Sequence, residues 1–226
     1  MRVVIIGGVA AGASAAARLR RLDETAKITL IERGEAISYA NCGLPYHVGG
    51  VIPDRDDLLV MSAEGFRKRF NVTVRVRCEA TAIDRTAKTV TVRDADGAEE
   101  ALPYDRLLLA TGALPIQIPI PGLPDARRLT LTSLADMDRL VAAARDAKSA
   151  LVIGGGAIGV ETAENLARRG LKTTLVEKAG HLLPAMLDPE MAVDLPDALR
   201  AVGVDVRTGR TVAAWADGAA KILLAL

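Results

Sequence analysis

The residue best suited to redox chemistry is a cysteine in the segment 37–46, which reads ISYANCGLPY. Cys42 is one of only two cysteines in 226 residues, and it is followed by Gly43 and Pro45. Proline is well tolerated in the first turn of a helix. If a helix begins at Cys42, its free amide groups stabilise thiolate over thiol, and a thiolate can open disulfides. The alternative is a small buried apolar residue, which is the usual fate of a free cysteine.

A glycine-rich turn before this segment is the first element that could position a cofactor beside the cysteine. The apolar strand Val3–Ile6 leads into the glycine turn Gly7–Gly12 and a helix of small residues from Ala13 to about Leu22. A second strand, Lys27–Ile31, is followed by the acid Glu32. This order is the dinucleotide-binding pattern, in which the helix N-terminus receives the pyrophosphate. Glu32 is placed to bind ribose hydroxyls, although Val9 stands where the pattern has its middle glycine.

The same pattern occurs a second time, here with all three glycines. The strand Ala150–Ile153 leads into the glycine turn Gly154–Gly159 and a helix that runs to about Arg169. A second strand, Thr173–Val176, is followed by the acid Glu177. Helix–strand packing without a ligand could produce one such pattern, but two in one chain predict two dinucleotide sites. Glu177 favours NADH over NADPH, because a carboxylate repels a 2′-phosphate, and Lys178 opposes that preference.

The residues between the two patterns predict an inserted layer and a linker. A helix is expected over Asp57–Arg69, and an antiparallel meander is expected over Val72–Val76, Glu79–Asp84 and Lys88–Arg93, with a turn at Asp96–Gly97. Cys78 lies in the meander and is interpreted as structural. Arg106–Leu109 is predicted to be a buried strand ending at Ala110–Gly112, and four prolines mark a linker over 113–124.

These elements together predict an α/β fold with two Rossmann-like dinucleotide-binding domains of the three-layer ββα type. The first domain is expected over 1–112, with the antiparallel meander inserted in it. The second is expected over 125–226, after the linker, and 201–208 is assigned to a further strand of it.

Composition argues against several other classes of function. The chain has 29 basic and 28 acidic residues, so electrostatics favour neither nucleic acid nor a membrane as the main partner. Aromatic residues make up 3%, which leaves few surfaces for base stacking. The cysteine spacing suits neither a disulfide scaffold nor a metal site. No signal-peptide pattern or long apolar run is present, so a cytoplasmic location is expected.

The motifs now described resemble those of the FAD-dependent pyridine nucleotide–disulfide oxidoreductases. The resemblance rests on both glycine patterns with their acids, on Ala110–Ala113, and on the segment 38–46. That last segment is similar to the single-cysteine branch, which contains coenzyme A disulfide reductases, NADH oxidases and NADH peroxidases. The resemblance implies FAD on the first pattern, NADH or NADPH on the second, and a small-molecule disulfide or polysulfide as substrate. No second cysteine follows five residues later, where His47 stands, so Cys42 must act alone.

The resemblance also implies roles for particular residues. Cys42 and Glu161 are the implied catalytic residues. Coenzyme A, as substrate or adduct, is implied to contact Ser14, Arg18, Arg21, Ser38, Tyr39 and Asn41. The implied contacts of FAD and the nicotinamide nucleotide are Gly7, Gly8, Ala10, Ala11, Gly12, Glu32, Arg33, Asn41, Cys42, Ala80, Ala110, Thr111, Gly112, Gly154, Gly155, Gly156, Ala157, Ile158, Gly159, Glu177 and Lys178.

Two alternatives remain within this interpretation. Peroxidases and water-forming oxidases of the branch carry a histidine in the first glycine loop, where this chain has Ala10, so coenzyme A disulfide reductase is the favoured activity and NADH oxidase the alternative. Family members also continue to a Gly-Asp segment that completes the FAD site and to a dimerisation domain. The sequence is therefore expected to be truncated, with Ile222–Leu224 as its last strand, and a nucleotide-binding module without turnover is the second alternative. The resemblance implies a homodimer for full-length members and leaves the oligomeric state of this chain open.

Overall fold

The computed structural model describes residues 1–116, 118–215 and 222–225, which divide into two compact units. The first unit comprises Met1–Ala40 and Asp56–Ala113, and the second comprises Asn41–Arg55 and Leu114–Leu226. The segment 41–55 therefore packs within the second unit, although the chain on both sides of it belongs to the first. Cys42 lies in this segment.

The described residues form six α-helices and twelve strands. The helices are α1 (Ala11–Leu22), α2 (Leu44–Val48), α3 (Ala63–Phe70), α4 (Leu134–Arg145), α5 (Ala157–Arg168) and α6 (Leu195–Ala201). The strands are β1 (Arg2–Ile6), β2 (Lys27–Ile31), β3 (Thr73–Arg75), β4 (Glu79–Asp84), β5 (Thr89–Arg93), β6 (Glu99–Pro103), β7 (Arg106–Leu109), β8 (Arg128–Leu129), β9 (Ser149–Ile153), β10 (Lys172–Val176), β11 (Val204–Arg207) and β12 (Ile222–Ala225). Short 3₁₀ helices occur at Asn41–Gly43, Arg55–Leu58 and Asp125–Arg127.

The first unit is built on a parallel sheet in the order β3-β2-β1-β7. Its central strands are almost entirely apolar, because both faces of the sheet are covered. On one face, Ile5 and Leu30 pack with Ala16 of α1 and Phe66 of α3. On the other face, an antiparallel sheet of β4, β5 and β6 supplies Val90 and Val92 to a second apolar cluster.

The structure corrects three sequence predictions in this unit. The strand at 72–76 is not part of the meander, because β3 pairs in parallel with β2; the third meander strand is β6 instead. The helix predicted over Asp57–Arg69 starts later, as α3 at Ala63. Its start is set by Ser62, whose side chain caps the helix by accepting a hydrogen bond from the Gly65 amide. Strand β7 is not buried, because it lies at the sheet edge, where Leu109 is 59% exposed.

The second unit is built on a parallel sheet in the order β11-β10-β9-β12-β8. Helix α5 contributes the buried residues Ala163 and Leu166, which are fully enclosed. Strand β12 confirms the predicted last strand. The two sheets and the inserted three-stranded meander confirm the predicted fold class.

The outer face of the second sheet is covered differently from that of the first. The connection from β3 to β7 spans residues 76–105 and contains the meander, whereas the connection from β11 to β12 spans only residues 208–221. Part of the face is covered by Ile120, Leu123 and Trp215, which pack with Ile153. The Trp215 amide donates to the Pro121 carbonyl at 2.8 Å. The predicted linker therefore contributes to the core of the second unit.

Candidate functional site

The first glycine loop brings β1, α1 and the end of β7 very close together. Gly7 has a φ of +103°, and a β-carbon added there would lie 2.0 Å from the Ala110 carbonyl oxygen. A β-carbon added at Gly12 would lie 1.8 Å from the Gly7 carbonyl oxygen. Only glycine allows this close packing of helix on strand. The free amide groups at the start of α1 therefore lie at the carboxyl end of the sheet, where a pyrophosphate would bind.

Glu32 joins the glycine loop to the residues after β2. One carboxylate oxygen accepts from the Gly8 amide at 2.8 Å, and the other accepts from the Gly34 amide at 2.7 Å. Each carboxylate oxygen has two lone pairs, so both can still accept from a ribose hydroxyl. The carboxylate is thus held by the backbone in the position predicted for ribose binding.

The second glycine loop repeats this arrangement. Gly154 has a φ of +110°, and a β-carbon added at Gly159 would lie 1.9 Å from the Gly154 carbonyl oxygen. The Glu177 carboxylate accepts from the amides of Gly155 at 2.5 Å and Ala179 at 2.6 Å. The two predicted sites therefore have matching backbone geometry, each within its own unit.

The loops differ at their middle position. A β-carbon added at Gly156 would meet no other atom within 4 Å, so the protein's own packing does not require glycine there. The missing side chain leaves the backbone open to a ligand, as the close approach of a pyrophosphate requires. Val9 occupies this position in the first loop. Both loops fit a dinucleotide, and the second is the more open of the two.

A matching pair of strained residues was not predicted from the sequence. Ser38 has a φ of +49°, and its amide donates to the Gly8 carbonyl at 3.0 Å. Leu183 has a φ of +53°, and its amide donates to the Gly155 carbonyl at 2.7 Å. Each lies six residues after its acid, so an alignment of the repeats extended beyond Glu32 and Glu177 would have paired them. Left-handed backbone at non-glycine residues often accompanies functional loops.

The remaining predicted FAD contacts of the first unit lie in three places. Ala10 and Ala11 are exposed at the start of α1, and Arg33 is exposed after β2. Thr111 and Gly112 are exposed after the end of β7, next to Ala110. Ala80 lies instead in β4, where it packs on the cluster that contains Cys78 and Ile31.

The predicted coenzyme A contacts of the first unit form two groups. Ser14, Arg18 and Arg21 are exposed, and their spacing places them on one face of α1. Among the residues that the structure describes, neither arginine has an acidic partner. Arg20 is different, because its guanidinium donates to five backbone carbonyls that include Phe70 and Ala26. Ser38 and Tyr39 are partly buried in the loop after β2.

Cys42 is exposed and lies in the 3₁₀ turn Asn41–Gly43. The predicted helix start at Cys42 is wrong, because the α-helix begins at Leu44, with Pro45 in its first turn. The alternative of a small buried residue is also wrong for Cys42. It holds for Cys78, which is 2% exposed. Burial raises the pKa of the Cys78 thiol above its ordinary value, against an opposing effect of Arg75.

Other predicted residues of the second unit lie around the start of α5 and the end of β10. Ala157 and Ile158 are exposed in the first turn of α5, and Lys178 is exposed after Glu177. Glu161 is partly buried one turn further along α5. Asn41 and Cys42 share this unit, whereas the coenzyme A contacts predicted on α1 belong to the first unit.

Two searches of the described residues bear on other partners. None of the helices there combines the length and apolar character needed to cross a membrane. No group of three or more histidine, cysteine or acidic side chains in the described ranges is placed to hold a metal ion.

Comparison with known proteins gives consistent results. A coenzyme A disulfide reductase of Staphylococcus haemolyticus is 32% identical over 219 residues, which cover 96% of this chain and 49% of that protein. An NADH oxidase of Enterococcus faecalis is 33% identical, with coverage of 94% and 48%. The chain therefore spans about half the length of these curated relatives.

Solved structures extend the comparison. The reduced CoADR-RHD of Bacillus anthracis has a TM-score of 0.94 and 40% identity, with 99% of this chain and 43% of that chain covered. A NAD-dependent persulfide reductase from A. fulgidus has a TM-score of 0.93 and 38% identity, with coverage of 99% and 45%. The family model described as pyridine nucleotide-disulphide oxidoreductase matches residues 1–225, and the chain belongs to that family.

Proposed function

We propose that this chain is part of an FAD-dependent NAD(P)H:disulfide oxidoreductase that reduces coenzyme A disulfide, or a related persulfide or polysulfide, through Cys42. The observation that carries the proposal is the exposure of Cys42, in contrast to the burial of Cys78. A buried thiol cannot reach a disulfide in solution, whereas an exposed one can attack it directly. The relatives named as coenzyme A disulfide reductase and persulfide reductase support this class of substrate.

The chemistry requires one sulfur of the protein. The Cys42 thiolate attacks one sulfur of the disulfide, the S–S bond breaks, and the other half leaves as a thiolate that takes up a proton. The product is a mixed disulfide on Cys42, and two electrons are needed to return it to the thiolate. FAD and the nicotinamide nucleotide supply those electrons when bound. Overall, one disulfide, one NADH and one proton give two thiols and NAD⁺.

The residues of this chain have separate tasks in the proposal. The two glycine loops bind the pyrophosphates, and Glu32 and Glu177 orient the riboses from carboxylates already fixed by backbone amides. Glu161, one turn inside α5, is the residue proposed to contact the nicotinamide when the nucleotide is bound. FAD is assigned to the first loop and a weaker, exchangeable NADH to the second.

Coenzyme A is proposed to use the exposed face of α1. Arg18 and Arg21 offer two guanidinium groups there, and a guanidinium can bind a phosphate with two parallel hydrogen bonds. Arg20 offers no guanidinium to a ligand there, because it is already engaged by backbone carbonyls. Ser38, Tyr39 and Asn41 are proposed to hold the part of coenzyme A nearest the sulfur.

The second candidate is an NADH oxidase of the same branch, which the relative from Enterococcus faecalis supports. Ala10 in the first glycine loop favours the disulfide reductase, because it cannot donate a hydrogen bond to an oxidised cysteine as a histidine can. Oxygen consumption at the expense of NADH distinguishes the two activities. A protein that binds FAD but consumes NADH with neither oxygen nor a disulfide would be a nucleotide-binding module.

The test compares the unmodified chain with Cys42→Ser after reconstitution with FAD. We expect NADH-dependent release of thiol from coenzyme A disulfide in the unmodified chain and none in Cys42→Ser. Anaerobic bleaching of the flavin by NADH should persist in the variant, since hydride transfer needs no sulfur. Cys78→Ser is the matched control and should retain activity. Disulfide reduction that survives in Cys42→Ser would refute the proposal.

A further inference from the structure

The helix that follows Cys42 is capped from another part of the chain. The last four residues of a helix leave carbonyl groups without partners in the helix. In α2, three of these carbonyls accept from backbone amides of the next turn: Pro45 from Gly49, Tyr46 from Val51 and Ile52, and His47 from Gly50. The fourth, Val48, accepts from the Arg169 guanidinium at 2.7 Å. Arg169 is the capping residue at the end of α5, 121 positions away in sequence.

A second contact joins the same two helices one turn earlier in α5. Asn165 is 1% exposed, and its amide nitrogen donates to the Glu161 carbonyl at 2.8 Å. Its amide oxygen is buried and has no hydrogen-bond partner within the described residues. A β-carbon added at Gly49 would lie 2.1 Å from that oxygen and 2.9 Å from the Asn165 β-carbon. Any side chain at Gly49 would therefore force α2 away from α5.

The far end of the cysteine segment is held as well. The Arg55 guanidinium makes paired hydrogen bonds with the Asp138 carboxylate in α4, at 3.0 Å from both Nε and Nη2. Leu44 and Val48, on the inner face of α2, are almost completely buried. The segment that carries Cys42 is thus fixed to two helices of the second unit by polar and apolar contacts.

We propose that Arg169 and Asn165 are positioning residues. By anchoring α2 to α5, they fix the position of the Cys42 thiol, which lies just before α2. The inference rests on the proposed function, in which Cys42 is the redox cysteine. Helix α5 begins at the second glycine loop and, with 12 residues, is about 18 Å long. The same helix therefore presents the nucleotide loop at its start and secures the cysteine segment at its end. Neither residue touches the reacting atoms.

The test measures how Cys42 exchanges with the aromatic disulfide 5,5′-dithiobis(2-nitrobenzoate), which requires no FAD or NADH. The reference is a synthetic peptide of residues 37–46, in which the cysteine has no anchored helix. We expect the folded chain and the peptide to differ in rate by about threefold or more, because exchange depends on the surroundings of the thiol. Arg169→Ala should bring the rate of the chain towards that of the peptide, and Arg169→Lys should restore much of the difference, since a lysine also donates to Val48.

Matched controls separate positioning from loss of the fold. Arg168→Ala removes a neighbouring guanidinium that pairs with Glu164 at the surface, and Gly180→Ala adds a β-carbon with no atom within 4 Å. Both should keep the original exchange rate, whereas Gly49→Ala should behave like Arg169→Ala. In Arg169→Ala and Gly49→Ala, hydrogen exchange of the backbone amides should rise over 44–52 and stay unchanged over 63–70. If Gly49→Ala unfolds the chain, Cys78 becomes reactive too, and the Arg169 pair decides the result.

Two outcomes would overturn the inference. One is an exchange rate of the unmodified chain equal to that of the peptide. The other is an exchange rate that Arg169→Ala leaves unchanged, whether or not hydrogen exchange over 44–52 rises. Either result can occur while Cys42→Ser still abolishes disulfide reduction, so the two proposals can fail separately.

Discussion

The Glu177 carboxylate lies 2.5 Å from the Gly155 amide, and this bond connects the end of β10 to the second glycine loop. Glu32 makes the equivalent bond with Gly8 at 2.8 Å. In both units the acid holds the loop in place and keeps lone pairs that are available to a hydroxyl of a ligand. A substitution of either acid is expected to change both the shape of the loop and the choice of nucleotide.

Coenzyme selectivity is the first property to test at Glu177. We expect NADH to reduce bound FAD more efficiently than NADPH, and Glu177→Ala to narrow the difference. A repulsion of about 1–2 kcal/mol between the carboxylate and a 2′-phosphate corresponds to roughly tenfold. Glu177→Gln removes the charge and keeps an acceptor for the Gly155 amide, so it separates repulsion from loop shape. Efficient reduction by NADPH in the unmodified chain would contradict the expectation.

Two substitutions in the second glycine loop should separate an effect on protein stability from an effect on NADH binding. Gly159→Ala places a β-carbon 1.9 Å from the Gly154 carbonyl oxygen, and such overpacking costs about 1–3 kcal/mol of unfolding free energy. A β-carbon at Gly156 meets no other atom within 4 Å, so Gly156→Val should disturb the fold far less and weaken NADH binding. Chemical denaturation and equilibrium titration with NADH measure the two effects. Equal NADH affinity in Gly156→Val would show that the nucleotide does not approach this residue.

The two cysteines should differ in their rate of alkylation, because Cys42 is exposed and Cys78 is buried. Because burial raises the pKa of Cys78, its thiol form is favoured in the folded chain. The stability contributed by this preference is present below the ordinary thiol pKa and is lost as pH rises through the raised value. We therefore expect iodoacetamide to modify Cys42 much faster than Cys78 at pH 7 to 9, as measured by peptide mass spectrometry. Equal rates in the folded chain would contradict the burial of Cys78.

Trp215 provides a signal specific to the second unit, because it is the only tryptophan in the chain. Its side chain is 9% exposed and packs with Ile120, Leu123 and Ile153. Its fluorescence should shift to longer wavelength when that unit unfolds. Trp215→Ala should lower the unfolding free energy of the unit by about 3 kcal/mol, measured by circular dichroism because the variant has no tryptophan. Val193→Ala, at a residue of the same unit that is 67% exposed, is the control and should have little effect.

The repeated glycine patterns predicted most of the fold, because each requires a strand, a turn and a helix in fixed order. What the patterns could not supply was the pairing of distant strands. Thr73–Arg75 has the same alternating composition as the meander strands, so only its partner β2 distinguishes it from them. The exposure of β7 likewise depends on its place at the sheet edge, which its three leucines do not reveal.

The candidate site was predicted in part. The glycines and acids were identified because their spacing is imposed by backbone geometry. The left-handed Ser38 and Leu183 were missed, since neither residue type favours a positive φ. The packing of the segment 41–55 with the second unit was also missed. It depends on Arg169 and Gly49, and neither belongs to a recognisable motif.

Among the described residues, the two sheets differ in the elements that cover their outer faces. The first sheet carries the three-stranded meander, whereas Ile120, Leu123 and Trp215 pack with Ile153 of the second. Both nevertheless place the glycine loop and the acid in the same geometry. The hydrogen bond between acid and glycine loop therefore does not depend on which elements cover the outer face of the sheet.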